Sequence, residues 1–499
     1  MKKFIIAILL FHISDSVFSQ REDYVWRLGN NGGINFNGIV DTFSVPNSNN
    51  YMFNATNASI CDSSGNLLFF TNGIVVFNSL GDTMQNGDNL NPCDITTLFE
   101  PIGLRLPQAD LILRKPGTAN VYYLFHETSD NDTASTYPLQ TNILYLSVID
   151  MSLDSGKGGI AQGEKNLHLY DNDTLLPGKL TAVRHGNGRD WWLLSKRACY
   201  PEMIEWLITP DTIQGPFIVP LINDPNTCYD DVTGQACFSV QGDKYAIYFN
   251  SGNIYCFNMD RCDGNLTEVF HTLVNDSSGA YPYGCAFSPN GRFLYLSTTL
   301  SVFQFDLNAA NISNSMLRVA LYDGFYSPSA PFATHFSFMK LAPDNRIYIS
   351  TDNGCDVMHV IEFPDSLGTS CGVLQHSFYL PTVNDFTTPN IADYRLGSLT
   401  GSSCDTILSS NNLAKESFEE EIFPNPNNGV FTIRFSCKKR SSYNIKVNDV
   451  TGRIIFESSG DVTYGENRKN INVSYIVKGI YFLNLKTEQL RSSIKIIIE

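Results

Sequence analysis

The chain has 499 residues, a length that predicts two to four domains, and 43% of them are hydrophobic, which is enough for a large buried core. Its formal net charge is −16. An acidic surface repels nucleic acids and anionic membranes, so neither is an expected partner. Aromatic residues make up 12% of the chain, and no helical heptad or long apolar helix stands out. The composition therefore favours an all-β protein.

The N-terminus has the pattern of a signal peptide. Lys2 and Lys3 form a basic segment, residues 4–11 are a short apolar run, and Val17 and Ser19 occupy the small-residue positions before a cleavage site. The apolar run is too short to span a membrane, and no other stretch is long enough. We expect an exported protein that loses residues 1–19 and has no transmembrane segment.

Twelve cysteines suit an oxidising compartment. Cys256 and Cys262 flank a short loop, and a disulfide between them would staple one hairpin. Proximity alone suggests three further pairs, Cys61/Cys93, Cys199/Cys228 and Cys355/Cys371. Buried free thiols are the alternative for each cysteine. No Cys-x-x-Cys motif and no Cys/His spacing typical of a zinc site is present.

One supersecondary unit recurs along the first 400 residues, and residues 287–307 show it most clearly. A short apolar strand enters a tight polar turn at 288–292, continues through 293–297 and returns on 302–307. Apolar and polar residues alternate in the returning strand, so one of its sides faces a core. A single sheet of this kind cannot bury its faces alone, so copies must stack.

Six copies of this unit are visible. Their turn residues are Gly65, Gly117, Gly188, Gly242, Gly291 and Asn345. These turns recur at intervals of roughly 50 residues, the length of a four-stranded propeller blade. Gly and Asn supply the positive φ that tight hairpins need. The widest interval, before Gly188, contains a polar, Gly-rich insert at 154–174.

Strand-like segments are left over at both ends of this region, at 24–36 and 394–397. Pairing the two would close a ring of blades and remove its open edges. We therefore predict an all-β fold with a propeller of about seven blades over residues 20–400, its last blade built from both ends. Six or eight blades, or a two-sheet sandwich array, are the alternatives, although an array does not explain the period.

The composition changes beyond residue 400. Residues 401–421 are rich in Ser and Asn and then in charge, which is typical of a linker. Residues 422–499 predict a small Ig-like β-sandwich. Its expected strands are 431–435, 443–447, 453–457, 469–473, 479–486 and 493–498.

This last domain resembles the type A C-terminal sorting domain of the Bacteroidota type IX secretion system. The resemblance rests on five segments in order: 423–426, 429–433, 447–453, 478–483 and 495–498. It implies that the domain engages the secretion machinery and carries its cargo across the outer membrane. The domain is then commonly removed, and the cargo is released or attached to surface lipopolysaccharide. The final residue, Glu499, departs from the basic ending that such tails more often have.

The resemblance assigns the sorting motif to nine residues: Pro424, Asn425, Pro426, Gly429, Asp449, Gly452, Gly479, Tyr481 and Lys495. The first 400 residues also resemble a group of exported Bacteroidota propeller proteins. The matching segments are 26–37, 64–73, 84–87, 180–194 and 389–397. This second resemblance implies a fold and a location, and it implies no activity.

The densest polar cluster precedes two tryptophans and contains Arg184, His185, Asn187, Arg189 and Asp190. His185 and Asp190 share one turn, so they are a candidate acid/base pair or, with Asn187 and Arg189, candidate ligand contacts. A structural role is the favoured interpretation. A His before the inner strands of a propeller blade often hydrogen-bonds its own blade, and Trp fills the gap between blades.

Other candidate sites are weaker. Two oxygen-rich loops, 130–132 and 171–173, are candidate calcium sites without EF-hand spacing, and we expect no cofactor. His335, His359 and His376 lie in apolar surroundings and are expected to be buried and hydrogen-bonded rather than metal ligands. No Gly-x-Ser-x-Gly elbow, no His-Glu-x-x-His motif and no phosphate-binding loop occurs.

A surface-delivery tail without a catalytic motif favours a secreted or outer-membrane-attached recognition or adhesion module. Its expected ligand is an extracellular glycan or protein, bound by loops on one propeller face. The alternative is a hydrolase or lyase of the lactonase or glycosidase kind, with a metal or carboxylates at the central channel. Such an enzyme is expected to bring several Asp, Glu or His side chains together at the channel mouth.

Overall fold

The computed structural model describes residues 20–45, 51–100, 102–129, 141–171, 173–221, 234–276, 280–328, 331–405, 421–437, 441–449, 453–463, 465–487 and 491–499. The expected signal peptide, the loop at 130–132 and most of the expected linker lie outside these residues. The chain divides into two compact units, Met1–Leu408 and Ser409–Glu499. Across the described ranges, no helix has both the length and the apolar character needed to cross a membrane.

The first unit is built almost entirely of short strands. In chain order they are β1 (Val25–Leu28), β2 (Gly32–Asn35), β3 (Asp41–Ser44), β4 (Ala58–Cys61), β5 (Leu67–Thr71), β6 (Val76–Asn78), β7 (Asp110–Arg114), β8 (Val121–Thr128), β9 (Ile143–Asp150), β10 (Gly159–Ile160), β11 (Leu167–Tyr170), β12 (Thr181–Arg184), β13 (Trp191–Lys196), β14 (Glu202–Ile208), β15 (Ile213–Pro220), β16 (Gln235–Phe238), β17 (Lys244–Tyr248), β18 (Asn253–Met259), β19 (Leu266–Leu273), β20 (Pro282–Phe287), β21 (Phe293–Thr298), β22 (Ser301–Asp306), β23 (Leu317–Leu321), β24 (Phe336–Leu341), β25 (Ile347–Thr351), β26 (Cys355–Ile361) and β27 (Val373–Asn384). One α-helix, α1 (Asp94–Phe99), follows β6, and there are 3-10 turns at Asp154–Gly156, Ser313–Ser315 and Gly368–Cys371.

The described strands of this unit form seven antiparallel sheets, numbered here as blades 1 to 7: β1–β3, β4–β6, β7–β11, β12–β15, β16–β19, β20–β23 and β24–β27. Apolar side chains of neighbouring blades interdigitate from blade 2 to blade 7. Blade 7 also packs on blade 1, where Trp26 and Phe36 meet Tyr348. Blades 1 and 2 are joined by the Ser59 hydroxyl, which donates to the Val25 carbonyl. The ring is therefore closed, and the fold is a seven-bladed β-propeller.

All six predicted turns join the first strand of a blade to its second strand. Each turn residue has positive φ, with values of 89°, 76°, 73°, 68° and 70° for the five glycines and 63° for Asn345. The predicted hairpins are therefore confirmed as the second and third strands of blades 2 to 7. The insert before Gly188 adds the two short strands β10 and β11 to the edge of β9.

The predicted closure, a last blade built from both ends, is wrong. The N-terminal segment forms blade 1 by itself, because a Gly/Asn-rich turn returns β1 onto β2. At Gly29, with φ of 54°, a Cβ atom would lie 2.1 Å from the Val383 carbonyl oxygen, so only glycine allows this close approach to blade 7. Residues 394–397 form no strand. Packing between blades 7 and 1 closes the ring instead of a shared strand.

The second unit is a two-layer β-sandwich. Its strands are β28 (Glu421–Phe423), β29 (Val430–Cys437), β30 (Ser441–Asp449), β31 (Ile454–Val462), β32 (Gly465–Asn472), β33 (Gly479–Thr487) and β34 (Arg491–Ile498). One sheet has the order β28-β29-β32 and the other β31-β30-β33-β34. Buried residues from both sheets, such as Ile433 and Leu483, meet in one core. The six predicted strands are confirmed, and only the three-residue β28 was missed.

Candidate functional site

A cavity of about 100 Å³ lies where the first strands of blades 3 to 7 meet. It is lined by residues of β7, β12, β16, β20 and β24, and by an axial segment that we define as residues 388–396. Convergence of these strands on one space identifies the cavity as part of the central channel of the propeller.

The axial segment occupies much of that channel. Ile391 forms a parallel bridge with Ile112 of β7. The Asn390 amide donates to the carbonyls of Asp110 and Leu180, at 3.0 and 2.9 Å. Lys340 on β24 donates to the Ile391 carbonyl at 2.6 Å. The chain that leaves the last blade therefore returns through the axis, instead of supplying the strand predicted at 394–397.

Glutamine side chains also bridge strands across the channel. Gln108 donates to the Ala236 carbonyl at 2.9 Å and accepts from the Ala236 amide at 2.8 Å. Gln235 accepts from the amides of Cys285 and Met339, at 3.0 and 3.1 Å. Buried amides paired in this way fix the spacing of the strands they connect.

Above the cavity, on the face where the first strands begin, five polar residues surround an aromatic floor. We call Arg105, Tyr283, His335, Asp352 and Asp385 the mouth cluster. They come from the connection before β7, the start of β20, the residue before β24, the β25–β26 turn and the residue after β27. Ring contacts and an ion pair bring these distant segments together.

The aromatic floor is formed by Phe338 and Phe386. The Arg105 guanidinium lies over the Phe386 ring, 5.7 Å from its centroid. Phe386 contacts Phe338 at 6.3 Å between centroids, and Phe338 packs edge-on against Tyr283 at 5.8 Å. Arg105 Nε is buried and has no hydrogen-bond partner among the described residues. The arginine is therefore positioned by a ring rather than by an ion pair.

The acidic residues of the mouth cluster are partly withdrawn from water. Asp352 Oδ2 lies 3.2 Å from His335 Nδ1, and Asp352 Oδ1 accepts from Asn353 at 2.6 Å. Burial raises the pKa of Asp352, and nearby His335 opposes that rise. Burial also raises the pKa of Asp385 to about 6, and Arg105 opposes it. Burial therefore favours the protonated, neutral form of both carboxyl groups.

Sequence reasoning missed four of these five residues. His335 was predicted to be buried and hydrogen-bonded; its bond to Asp352 confirms the hydrogen bond, but His335 and His376 are only half-buried, and of the three predicted histidines only His359 is buried. His376 bonds Asp323 at 3.0 Å, and the fully buried His359 accepts from the His376 amide at 3.0 Å. Tyr283 lies in β20, and Asp352 and Asp385 directly follow β25 and β27, so aligning the repeats strand by strand is the signal that would have selected these three. Arg105 lies in the connection before β7, where no repeat signal selects it.

The predicted cluster at His185 lies elsewhere, and its polar groups bond one another and the backbone. We call residues 185–190 the His185 turn. His185 Nε2 lies 2.9 Å from the Cys262 carbonyl oxygen. Asp190 accepts from Asn187 at 2.8 Å and from the Arg189 guanidinium at 2.7 and 3.0 Å. Ligand contact by this turn stays a hypothesis, because no bound molecule tests it.

The predicted disulfides need correction. Cys262 pairs with Cys404, so the Cys256/Cys262 pair is wrong. Cys256 lies inside β18 and packs in the core between blades 5 and 6, whereas Cys262 lies in the following turn. The thiols of Cys61, Cys93, Cys355 and Cys371 are free, so those two pairs are also wrong. Cys199 is disulfide-bonded, and its predicted partner Cys228 lies outside the described residues.

The remaining oxygen-rich loop is engaged with basic side chains. Asp171 lies 3.2 Å from His168, and Asp173 pairs with Arg197. Within the described ranges, no group of three or more His, Cys, Asp or Glu residues is placed to hold a metal ion.

In the second unit, the predicted sorting motif anchors the last strand. Asn425, between Pro424 and Pro426, donates to the Lys495 carbonyl and accepts from the Ile497 amide, both at 2.9 Å. Asn427 continues this pairing by donating to the Ile497 carbonyl at 3.0 Å. Residues 425–427, before β29, therefore form hydrogen bonds along the edge of β34.

The other motif residues stabilise turns and strand ends. Gly429 has φ of 91°, and a Cβ atom there would lie 2.5 Å from Ser474 Cα. Asp449 accepts from the Arg453 amide and guanidinium, both at 3.1 Å. Tyr481 donates to the Val477 carbonyl at 2.7 Å. Gly479 begins β33, and Gly452 lies outside the described residues.

Residues 421–499 match the family described as "Secretion system C-terminal sorting domain". These residues are a secretion-system sorting domain. Its presence means that the chain is addressed to the type IX secretion machinery, is exported, and is secreted or attached to the cell surface. In a search of curated proteins, no sequence matches the chain.

Solved structures similar to the chain are distant. A periplasmic gluconolactonase from Pseudomonas aeruginosa is 13% identical over 56% of this chain and 87% of its own, with a TM-score of 0.31. Sqt1 from Chaetomium thermophilum is 11% identical over 70% and 71%, with a TM-score of 0.35. The β-propeller domain of Cps50 (Swd1) from Myceliophthora thermophila is 9% identical over 67% and 94%, also at 0.35. At these scores the propeller assignment rests on the seven sheets themselves.

Proposed function

We propose that the exported protein is a non-enzymatic recognition module that binds an extracellular glycan or protein at the mouth cluster. The observation that carries this proposal is the half-buried Arg105, held over Phe386 with no hydrogen-bond partner among the described residues. A buried guanidinium nitrogen without a partner is costly, and a ligand oxygen would satisfy it. The axial segment supports recognition at the surface, because it occupies much of the central channel.

The chemistry of the mouth favours a glycan that carries an acidic sugar. A guanidinium donates two parallel hydrogen bonds to a carboxylate. Aromatic rings such as Tyr283 supply flat apolar area with a polar edge. Carboxyl groups such as Asp352 and Asp385 accept hydrogen bonds from sugar hydroxyls. An acidic protein side chain would use Arg105 alone, whereas a sugar acid uses all three kinds of group.

The test is binding of the exported chain to an array of neutral and uronic-acid-containing glycans. We expect acidic glycans to bind, and Arg105→Ala to weaken that binding by tenfold or more. Arg292→Ala is the matched control, because Arg292 lies in the β20–β21 turn, at the end of the strands opposite the mouth, and pairs with Asp306 at the end of β22. Equal binding by both variants, or binding of neutral glycans only, would contradict the role of Arg105.

The His335–Asp352 pair favours a second candidate, a hydrolase with its site at the same mouth. A carboxylate that orients a histidine is a recurrent arrangement for general base catalysis. Hydrolysis of lactones or glycosides by the wild-type chain, abolished in Asp352→Asn, would replace the recognition proposal. We expect neither the wild type nor Asp352→Asn to hydrolyse these substrates.

A further inference from the structure

Two free cysteines face each other beside the central channel. Cys237 lies on β16 of blade 5 and Cys285 on β20 of blade 6, and both line the cavity. Their sulfur atoms are 3.5 Å apart. A disulfide has a sulfur–sulfur distance of about 2.05 Å, so a shift of about 1.5 Å along the line of centres joins them.

The surrounding hydrogen bonds hold the two strands in register. The Gln235 side chain accepts from the Cys285 amide at 3.0 Å, and its amide group donates to the Met339 carbonyl at 2.8 Å. The Cys285 thiol also lies 3.2 Å from the Gln235 carbonyl oxygen. The first strands of blades 5 and 6 are therefore fixed side by side where the sulfurs meet.

We propose that Cys237 and Cys285 form a disulfide in the exported protein, joining the inner strands of blades 5 and 6. Export supplies the conditions, because disulfides persist in extracytoplasmic compartments. This modification is independent of the proposed ligand and of the mouth cluster.

The reaction is thiol–disulfide exchange with an external disulfide, from an oxidising dithiol protein or a small-molecule disulfide. Cys237 is the more exposed thiol, and its thiolate attacks one external sulfur to give a mixed disulfide and release one thiolate. The Cys285 thiolate then displaces the second external sulfur and completes the bond. The protein loses two protons and two electrons, and the external disulfide gains both as two thiols.

The experiment uses the exported full chain, unfolded in denaturant without reductant and treated with an alkylating reagent. We expect Cys256, a buried free thiol on β18, to be alkylated fully and to serve as the internal control. Cys237 and Cys285 are expected to remain unlabelled and to appear as one linked peptide pair by mass spectrometry. Alkylation of both to the same extent as Cys256 would overturn the proposal.

A second measurement tests the bond through thermal unfolding. We expect Cys237→Ser, Cys285→Ser and the double variant to lower the midpoint by the same several degrees, since each removes the same bond. Cys256→Ser serves as the matched single-site control, and adding Cys285→Ser to it is expected to give additive losses. Additive losses in the Cys237/Cys285 pair would indicate two independent thiols and contradict the disulfide.

Discussion

The mouth cluster and the His185 turn contain nearly the same residue types, and the structure uses them in opposite ways. Each has an arginine, a histidine, a carboxylate and neighbouring aromatic rings. In the His185 turn, Asp190 accepts hydrogen bonds from two neighbours in the same turn. At the mouth, Arg105 has a ring beneath it and no hydrogen-bond partner among the described residues.

The difference comes from what packs around each group. The His185 turn is covered by the end of the propeller chain, since the Leu399 amide donates to the Gly186 carbonyl at 2.7 Å. A Cβ atom on Gly186 would lie 2.4 Å from the Cys404 sulfur. The mouth cluster comes from five separate segments, and among the described residues its five side chains are only partly buried. Here the polar residues that are dense in sequence bond one another, whereas the polar residues of the mouth cluster are dispersed in sequence and stay partly exposed.

The largest expected effect concerns the cover of the His185 turn. The double variant Cys262→Ser/Cys404→Ser opens a loop of 142 residues. Disulfides that close loops of this size typically contribute about 2–5 kcal/mol, so we expect the free energy of unfolding to fall by that amount. Denaturant unfolding of both proteins measures it. An unchanged midpoint would show that the end of the propeller chain is held by its hydrogen bonds alone.

A smaller loss is expected inside the turn. Asp190→Ala removes the acceptor of Asn187 and Arg189, and an unpaired buried donor costs about 1–3 kcal/mol. We expect a matching fall in the free energy of unfolding and no change in glycan binding. If binding is lost while stability is retained, the His185 turn is a ligand site and the comparison between the two regions fails.

The matched change at the mouth should affect binding and leave stability unaltered. Arg105→Lys keeps the charge and removes the planar pair of donors, so we expect acidic glycans to bind roughly tenfold more weakly. Since no protein hydrogen bond is lost, the free energy of unfolding should stay within about 0.5 kcal/mol of wild type. Calorimetric titration and thermal unfolding give the two values. A destabilised but fully binding variant would reverse the assignment.

The smallest expected effect is a pH dependence at Asp385. Burial raises its pKa from 3.8 to about 6 in the folded protein, so the fold favours the protonated form. Its contribution to stability is complete below pH 3.8 and is lost as pH rises through about 6. An ionised Asp385 also competes with a ligand carboxylate for Arg105.

We therefore expect acidic glycans to bind a few-fold more weakly at pH 7.5 than at pH 5. Asp385→Asn should remove this pH dependence, both of glycan binding and of the thermal unfolding midpoint. If the pH dependence persists in Asp385→Asn, another titratable group causes it. Asp352, whose pKa is also raised, is the first to examine.

Local patterns predicted well where the chain pairs with its own neighbours. The six hairpins, their positive-φ turns and the strands of the sorting domain are confirmed, because each depends on residues a few positions apart. Three of the four predicted cysteine pairs are wrong. Cys262 was paired with the nearby Cys256, but its partner is 142 residues away, and a bond of that span leaves no local signal.

Short segments of the sequence are enough to establish a repeating all-β chain of about seven blades and a C-terminal domain that directs export. The alternation of apolar residues, the glycines at the turns and the sorting motif each involve residues that are close in sequence, so they can be recognised without a structure. Tertiary packing sets how the ring closes, which cysteines meet and which polar groups have no partner among the described residues. Those features depend on distances between segments hundreds of residues apart, such as Arg105 and Phe386, and packing of the whole ring sets those distances.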